Sequence, residues 1–196
     1  MIIAGGLPGK IKSAAGCSDS RLACRCDVCQ ERAMPEMNEA VIEQATMEDL
    51  PQMVDLLYEL FGQEGDFVPD RMKQERGLRL ILEQPSRGRI FVYRWNTTIV
   101  GMVNLLFTIS TAEGGFVVLL EDVIVRIDYR GRGVGRQLMQ HAIEYATKKE
   151  FLRITLLTDR LNAEGQTFFE RLGFFKSQMI PLRLPLTRDA ATLPKS

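Results

Sequence analysis

The residues of this chain best placed to do chemistry lie between Glu121 and Arg136. Arg130-Gly131-Arg132-Gly133-Val134-Gly135 follows an apolar run, Val117 to Val125, that reads as a buried strand. It precedes a segment from Arg136 to Lys149 that reads as a helix. A strand that ends in a glycine-rich turn and opens into a helix leaves backbone N–H groups unpaired at the helix start. Together with the helix dipole they form an anion site, and phosphate is its usual occupant. Glycine at 133 and 135 removes a Cβ that would hold an anion away from the backbone. Arg130 and Arg132 add positive charge.

The second chemical signal is a pair of acids, Glu121 and Asp122, inside the strand that feeds the loop. An acid amid Val118 to Val125 is costly to bury without a partner or a purpose. Strand alternation points the two to opposite faces. A carboxylate here is a candidate general acid or base. The ordinary alternative is a strand-end charge paired with an arginine. His141, the only histidine, falls on the helix after the loop and reads as structural. Phe67, Trp95 and Phe107 read as core or pocket wall.

These residues need a frame to hold them, and the chain supplies it in order. Val41 to Ala45 reads as a strand. Thr46-Met47-Glu48-Asp49 has capping-box form, with Pro51 in the first turn of a helix whose buried face is Leu50, Val54, Leu57, Tyr58 and Phe61. Gly62 to Pro69 is a loop, and a second helix from Asp70 to Glu83 stops before Pro85. Ile90 to Trp95 and Ile99 to Ile109 are strands joined by a tight turn at Asn96-Thr97-Thr98, and Phe116 to Val125 continues the meander. The helix after the glycine loop buries Val134, Leu138, Ala142, Ile143 and Ala146. Phe151 to Leu157 is a strand parallel to the one before it, because a crossover helix joins them. Ala163 to Leu172 is a short helix ending at Gly173. Ile180 to Leu184 reads as a last strand, on an edge because of Pro181. The fold class is α/β around a mixed sheet.

The chain has 196 residues, 45% apolar and 26% charged, values ordinary for a soluble globular protein. Its 25 basic and 25 acidic residues balance, so no bulk charge draws it to nucleic acid or to a membrane surface. No run approaches the ~20 apolar residues of a membrane span. The N-terminus lacks the basic region and apolar core of a secretory signal, so a cytoplasmic location is expected. Residues 1–38 read as a poorly structured N-terminal extension, 39–186 as the working domain and 187–196 as a C-terminal tail. The extension holds all four cysteines, Cys17, Cys24, Cys26 and Cys29. That cluster is too compressed for the paired knuckles of a zinc ribbon. Free thiols, a metal site and a redox pair stay open for it; none is expected to act in catalysis, and no metal is expected at the functional site.

A glycine-rich turn has competitors. GxGxxG fails here, because its third glycine would be Arg136 or Leu138, and a P-loop would need Gly-Lys-Ser/Thr. What remains is R-x-x-G-x-G after an antiparallel meander. With it, residues 40 to 184 resemble the GNAT superfamily of N-acetyltransferases. Arg130 to Gly135 fit that family's Q/R-x-x-G-x-G/A signature, and Val123-Ile124-Val125 occupy the strand that pairs with a pantetheine arm. Asn162, followed by Phe168 to Phe174, looks like the family's second motif.

The resemblance implies a mostly antiparallel central sheet flanked by helices, and acetyl-CoA as cosubstrate. Arg130, Gly131, Arg132, Gly133, Val134, Gly135 and Arg136 would grip the pyrophosphate. Val123, Ile124, Val125, Asn162 and Phe169 would line the arm, with a backbone N–H of Val123 or Val125 on the acetyl carbonyl. Glu121 stands where related enzymes acting on polyamines often carry an acid. Phe169 departs from the pattern, since a tyrosine often stands there and protonates the leaving thiolate. The expected partner is a small, cationic amine attacking directly in a ternary complex. A protein N-terminus or lysine, or a catalytically weak acyl-CoA-binding module, are the alternatives. Related enzymes often form homodimers, which leaves a homodimer open here, but the oligomeric state is not readable from the sequence.

Overall fold

The computed structural model describes residues 40–63 and 68–186. The cysteine cluster and N-terminal extension, Phe67 with part of its loop, and the C-terminal tail lie outside the described residues.

Strand β1 (Ala40–Gln44) leads into helix α1 (Leu50–Gln63) through a 3-10 turn, Met47–Asp49. The capping box forms, but it heads that turn rather than α1 itself. Arg94 latches the entry, donating to Glu43 Oε1 at 2.6 Å and to Asp49 Oδ1 at 2.7 Å. In α1 the buried positions are Leu50, Met53, Val54, Leu56, Leu57 and Leu60. Tyr58, expected on that face, is 44% exposed and lies under the Arg71 guanidinium at 4.9 Å. It falls on the flank of the apolar stripe, where a ring gains more from a cation than from the core. Helix α2 (Arg71–Glu83) starts at Asp70, whose carboxylate accepts from the N–H groups of Met72 and Lys73.

Strands β2 (Gly88–Trp95), β3 (Thr98–Ser110) and β4 (Gly115–Val125) form the antiparallel meander. Helix α3 (Val134–Lys148) crosses over to β5 (Ile154–Leu156), which pairs with β4 in parallel as expected, and helix α4 (Ala163–Glu170) follows. The sheet runs β1-β2-β3-β4-β5.

Both faces of the sheet are buried, so β2, β3 and β4 are apolar nearly throughout. One core joins Phe91, Val103, Leu120 and Val123 to Leu138, Met139 and Ala142 of α3 and to Phe169 of α4. The other joins Ile90, Val92, Met102 and Ile124 to Met53, Leu57 and Leu60 of α1 and to Leu78 of α2. Met139 is buried in α3, whereas Ile143 is only half-buried.

Two features depart from expectation. Strand β5 spans three residues rather than the run Phe151 to Leu157, because its pairing with β4 stops at Leu120–Leu156. Ile180 to Leu184 form no strand, and Leu182 and Leu184 are 89% and 83% exposed. Alternating side chains make a segment competent to be a strand, but only a neighbour for its N–H and C=O groups makes it one.

Candidate functional site

The loop before α3 is built by backbone conformation that only glycine adopts easily. Gly131 and Gly133 take left-handed φ values of 72° and 84°. A 3-10 turn, Ile127–Tyr129, brings the chain from β4 to the loop. Gly133 is the N-cap of α3, and no side chain caps that helix. Its first N–H groups therefore face outward over a glycine with no side chain, as an anion cradle requires. Gly135, expected alongside Gly133, lies inside the first turn of α3. The side chains of Arg132 and Arg136 are exposed beside this start, with Arg132 over the Tyr129 ring at 5.5 Å.

Arg130 is held elsewhere. Its side chain is 8% exposed, its Nε donates to Val125 O at 2.8 Å, and its Nη2 donates to Glu59 and Gln63 of α1, both at 3.3 Å. It ties the end of β4 and the loop to the end of α1.

Within β4, ahead of the loop in the chain, the register changes. Asn104 pairs with Asp122, but Leu105 pairs with Leu120, so Glu121 is an extra residue at a β-bulge. The same place ends the pairing with β5. From Glu121 to Val125 one edge of β4 has no strand beside it among the described residues. Past Leu120 the β4–β5 pairing stops, which leaves a wedge of unpaired backbone between the two strands, and β4 runs on from there to the loop that starts α3. Asn104 Oδ1 and Thr158 Oγ1, the latter just past β5, are buried oxygens without a protein partner.

The two acids part company at the bulge. Glu121 is exposed and Asp122 buried, with Asn104 Nδ2 donating to Asp122 Oδ2 at 3.1 Å. Burial pushes the Asp122 carboxyl up to about 6; the Asn104 bond opposes this and the charge of Glu121 adds to it. The folded protein thus binds a proton that the unfolded chain, near its ordinary 3.8, has released. Stability therefore falls as pH rises from about 4 to about 6, by about 3 kcal/mol at ~1.4 kcal/mol per unit. Asp122→Asn removes that loss. Thermal unfolding across this range should show a falling Tm for the native chain and a flatter profile for the variant.

Asn162 and Phe169 sit on α4. Asn162 caps the helix, its Oδ1 accepting from Gly165 N–H at 2.9 Å. A Cβ at Gly165 would come within 2.5 Å of the Asn162 amide, so glycine is what lets the cap form. Phe169 is 3% exposed, edge-on to Phe168 and Phe174 at 5.1 and 5.8 Å. Its ring belongs to the core between α4 and the sheet.

Comparison with known proteins assigns the chain to a family. The model of the acetyltransferase (GNAT) family matches residues 50–174. This chain belongs to that family. An uncharacterized N-acetyltransferase of Methanocaldococcus jannaschii is 28% identical over 156 residues, 78% of this chain and 69% of that protein. Streptothricin acetyltransferase A of Bacillus subtilis is 31% identical over 84 residues, 43% of this chain and 46% of that enzyme. Among solved structures, a possible acetyltransferase from Clostridium difficile 630 superposes with TM-score 0.70 at 18% identity, over 76% of this chain and 99% of that one. An aminoglycoside N-acetyltransferase solved in complex with CoA gives 0.66 at 20%, over 79% and 99%. These last two share the fold.

The GNAT assignment makes the protein an acetyltransferase. Val123, Ile124 and Val125 lie on the open edge of β4, and Arg132, Gly133, Val134, Gly135 and Arg136 form the start of α3 and the residues just before it. Sequence reading missed three residues. Asn104 could have been noticed as the one amide in the apolar run Ile99 to Ile109. Glu59 and Gln63 carry no signal, because their partner Arg130 is remote in sequence. Among the described residues no group of three or more His, Cys, Asp or Glu could hold a metal ion, and no helix is long and apolar enough to cross a membrane.

Proposed function

We propose that this GNAT protein is an acetyl-CoA-dependent N-acetyltransferase that acetylates a primary amine of a small, cationic substrate by direct attack in a ternary complex. The observation that carries this reading is the uncapped, left-handed glycine start of α3, in a chain whose preceding strand β4 has an edge bare of partners from Glu121 to Val125 among the described residues. The N–H groups of Val134, Gly135 and Arg136, with the guanidinium groups of Arg132 and Arg136, hold the diphosphate. The thioester arm lies along Val123 to Val125, whose backbone polarises the acetyl carbonyl. Arg130 shapes the loop through α1 and supports this grip from behind. Asn162 orients α4 against the arm.

Glu121 is the base. It is the exposed bulge residue beside the open edge, and it takes the ammonium proton so that the neutral amine can attack. The C–N bond forms, the C–S bond breaks and the thiolate leaves, and the second proton lost by the acylated nitrogen passes through water to the thiolate, giving the amide and the free thiol of CoA. Asp122 stands behind it as a second, buried acid and adds to the pull on a cation. Streptothricin and aminoglycosides, named for the enzymes cited above, are small molecules rich in amines. They favour a small cationic acceptor over a protein. Use of acetyl-CoA goes with a cytoplasmic location, and residues 39–186 suffice for the working domain.

Thioester consumption with polyamines, amino acids, aminoglycosides and peptides is the test. Turnover with small polyamines is expected. Turnover on peptides alone would move the acceptor to protein, and tight CoA binding without turnover on any amine would leave a binding module. Phe169 favours that second reading, since phenylalanine cannot donate a proton to the thiolate. A thiol's ordinary pKa of about 8.5 makes the thiolate a tolerable leaving group, so the native enzyme works slowly. Phe169→Tyr is expected to raise kcat, by no more than the ~10²–10⁴ of a general acid. A flat or lower kcat would mark the ring as packing alone.

A further inference from the structure

One buried hydroxyl has no work in the fold. Thr158 Oγ1 is closed off from solvent and, among the described residues, has no hydrogen-bond partner. Buried polar side chains are nearly always paired, and one left unpaired is destabilising. Arg89 Nε and Asn104 Oδ1 share this condition. Arg89, however, is on β2, two strands away from β4, and Asn104 Oδ1 can only accept. Thr158 combines a donor with a position at the wedge.

That position follows from the register. Leu156 makes the last rung with Leu120, and Thr158 is two residues further along the wall that β4 no longer pairs with. Leu156 is partly buried, Leu157 is 42% exposed and Thr158 is again partly buried, so strand alternation runs on past the rung. Leu156 packs against the core that holds Phe169, and Thr158 follows it to that side. The wall is also braced. Gln166 Nε2 donates to Asp159 O at 3.0 Å and to Arg160 O at 2.9 Å, and Asn162 caps α4 directly after. A donor fixed in this way needs no reorganisation when charge develops beside it.

We propose, on the acetyl-CoA reading above, that Thr158 is a catalytic residue whose hydroxyl donates a hydrogen bond to the thioester sulfur as the thiolate forms. A diphosphate at the start of α3 and an arm along Val125 to Val123 bring the thioester toward Glu121, where the two walls converge. The sulfur then lies at the narrow end of the wedge, with Thr158 on the opposite wall. As the C–S bond breaks, its electron pair goes to sulfur and the O–H···S bond holds the charge. Thr158 keeps its own proton throughout. The proton that completes the free thiol comes through water from the acylated nitrogen. Phe169 offers sulfur no donor, and a hydroxyl just past β5 answers part of that loss.

The ionisation of bound CoA reads this contact directly. Free CoA is titrated with pH on the full chain, and its thiolate is followed by ultraviolet absorbance. The difference between loaded and unloaded protein cancels the four cysteines. In the native chain the thiol should ionise below its ordinary pKa of about 8.5. Thr158→Val should make it ionise ~10-fold less readily, and Thr158→Ser should restore it. On the amine that turns over best, kcat should fall ~10–100-fold in Thr158→Val, because sulfur is a weaker acceptor than the oxyanion of a tetrahedral intermediate. The unloaded Thr158→Val chain should keep the native Tm or exceed it, since a methyl replaces a hydroxyl that bonds to nothing. A marked drop in Tm would reveal a protein partner for the hydroxyl and overturn the proposal. Equal ionisation of CoA on the native and Thr158→Val chains overturns it too, and leaves the acetyl-CoA reading standing. Calorimetry without heat from either CoA or acetyl-CoA overturns both.

Discussion

Gly133→Val will weaken acetyl-CoA binding at least ~100-fold and leave the rest of the fold in place. Two effects act together. At a φ of 84° a β-branched residue is in a region that L side chains avoid, at a cost of about 1–2 kcal/mol. Its methyl groups would also stand over the first N–H groups of α3, where the diphosphate is to bind. A hundredfold loss corresponds to about 2.8 kcal/mol, more than the strain alone supplies. Gly131→Ala separates the two terms. Its φ is 72° and nothing lies within 4 Å of an added Cβ, so it carries strain without obstruction. Calorimetric titration of both variants with acetyl-CoA and free CoA, beside their Tm values, reads the difference. Equal affinities in native chain and Gly133→Val would remove the diphosphate from this loop.

The second large effect is at Glu121. A primary alkyl amine of pKa about 10.4 is neutral in roughly one molecule in 2,500 at pH 7, so an enzyme without a base depends on that small fraction. Glu121→Gln keeps the shape of the side chain and removes the acceptor for the proton. A fall in kcat of ~10²–10⁴ is expected at pH 7, with acetyl-CoA affinity unchanged. The deficit should shrink as pH rises and the amine loses its proton unaided. A kcat that stays level across the pH range would reduce Glu121 to an exposed charge on a bulge. Asp122 cannot replace it, because it is enclosed with Asn104.

The readable features were those set by local pattern. Apolar periodicity located β2, β3, β4 and α3, and the glycine spacing located the start of α3, because each depends on neighbours within a turn or two of chain. Features belonging to pairs of distant residues were not readable. The bulge at Glu121 is a relation between β3 and β4, and no property of either strand alone announces it. Arg130 looked like a phosphate ligand because it opens the motif, whereas its guanidinium meets Glu59 and Gln63, fixed by how α1 lies on the sheet. Phe169 was legible as a departure, but its enclosure by Phe168 and Phe174 was not. The segment from Ile180 to Leu184 shows the opposite failure, with a clear strand pattern and no ladder to join.

The wedge between β4 and β5 has a mechanical consequence. A sheet transmits stiffness through its rungs, and beyond Leu120 the rungs toward β5 are missing. Among the described residues, β5 and the chain just before it are fastened to β4 by three residue pairs and by backbone bonds of Leu152 and Arg153 to Phe116 and Val118, all at or before Leu120, and otherwise by side-chain packing. Whatever lodges in the wedge and bonds to both walls supplies the absent rungs, so loading the protein should brace α4 as well as fill a cleft.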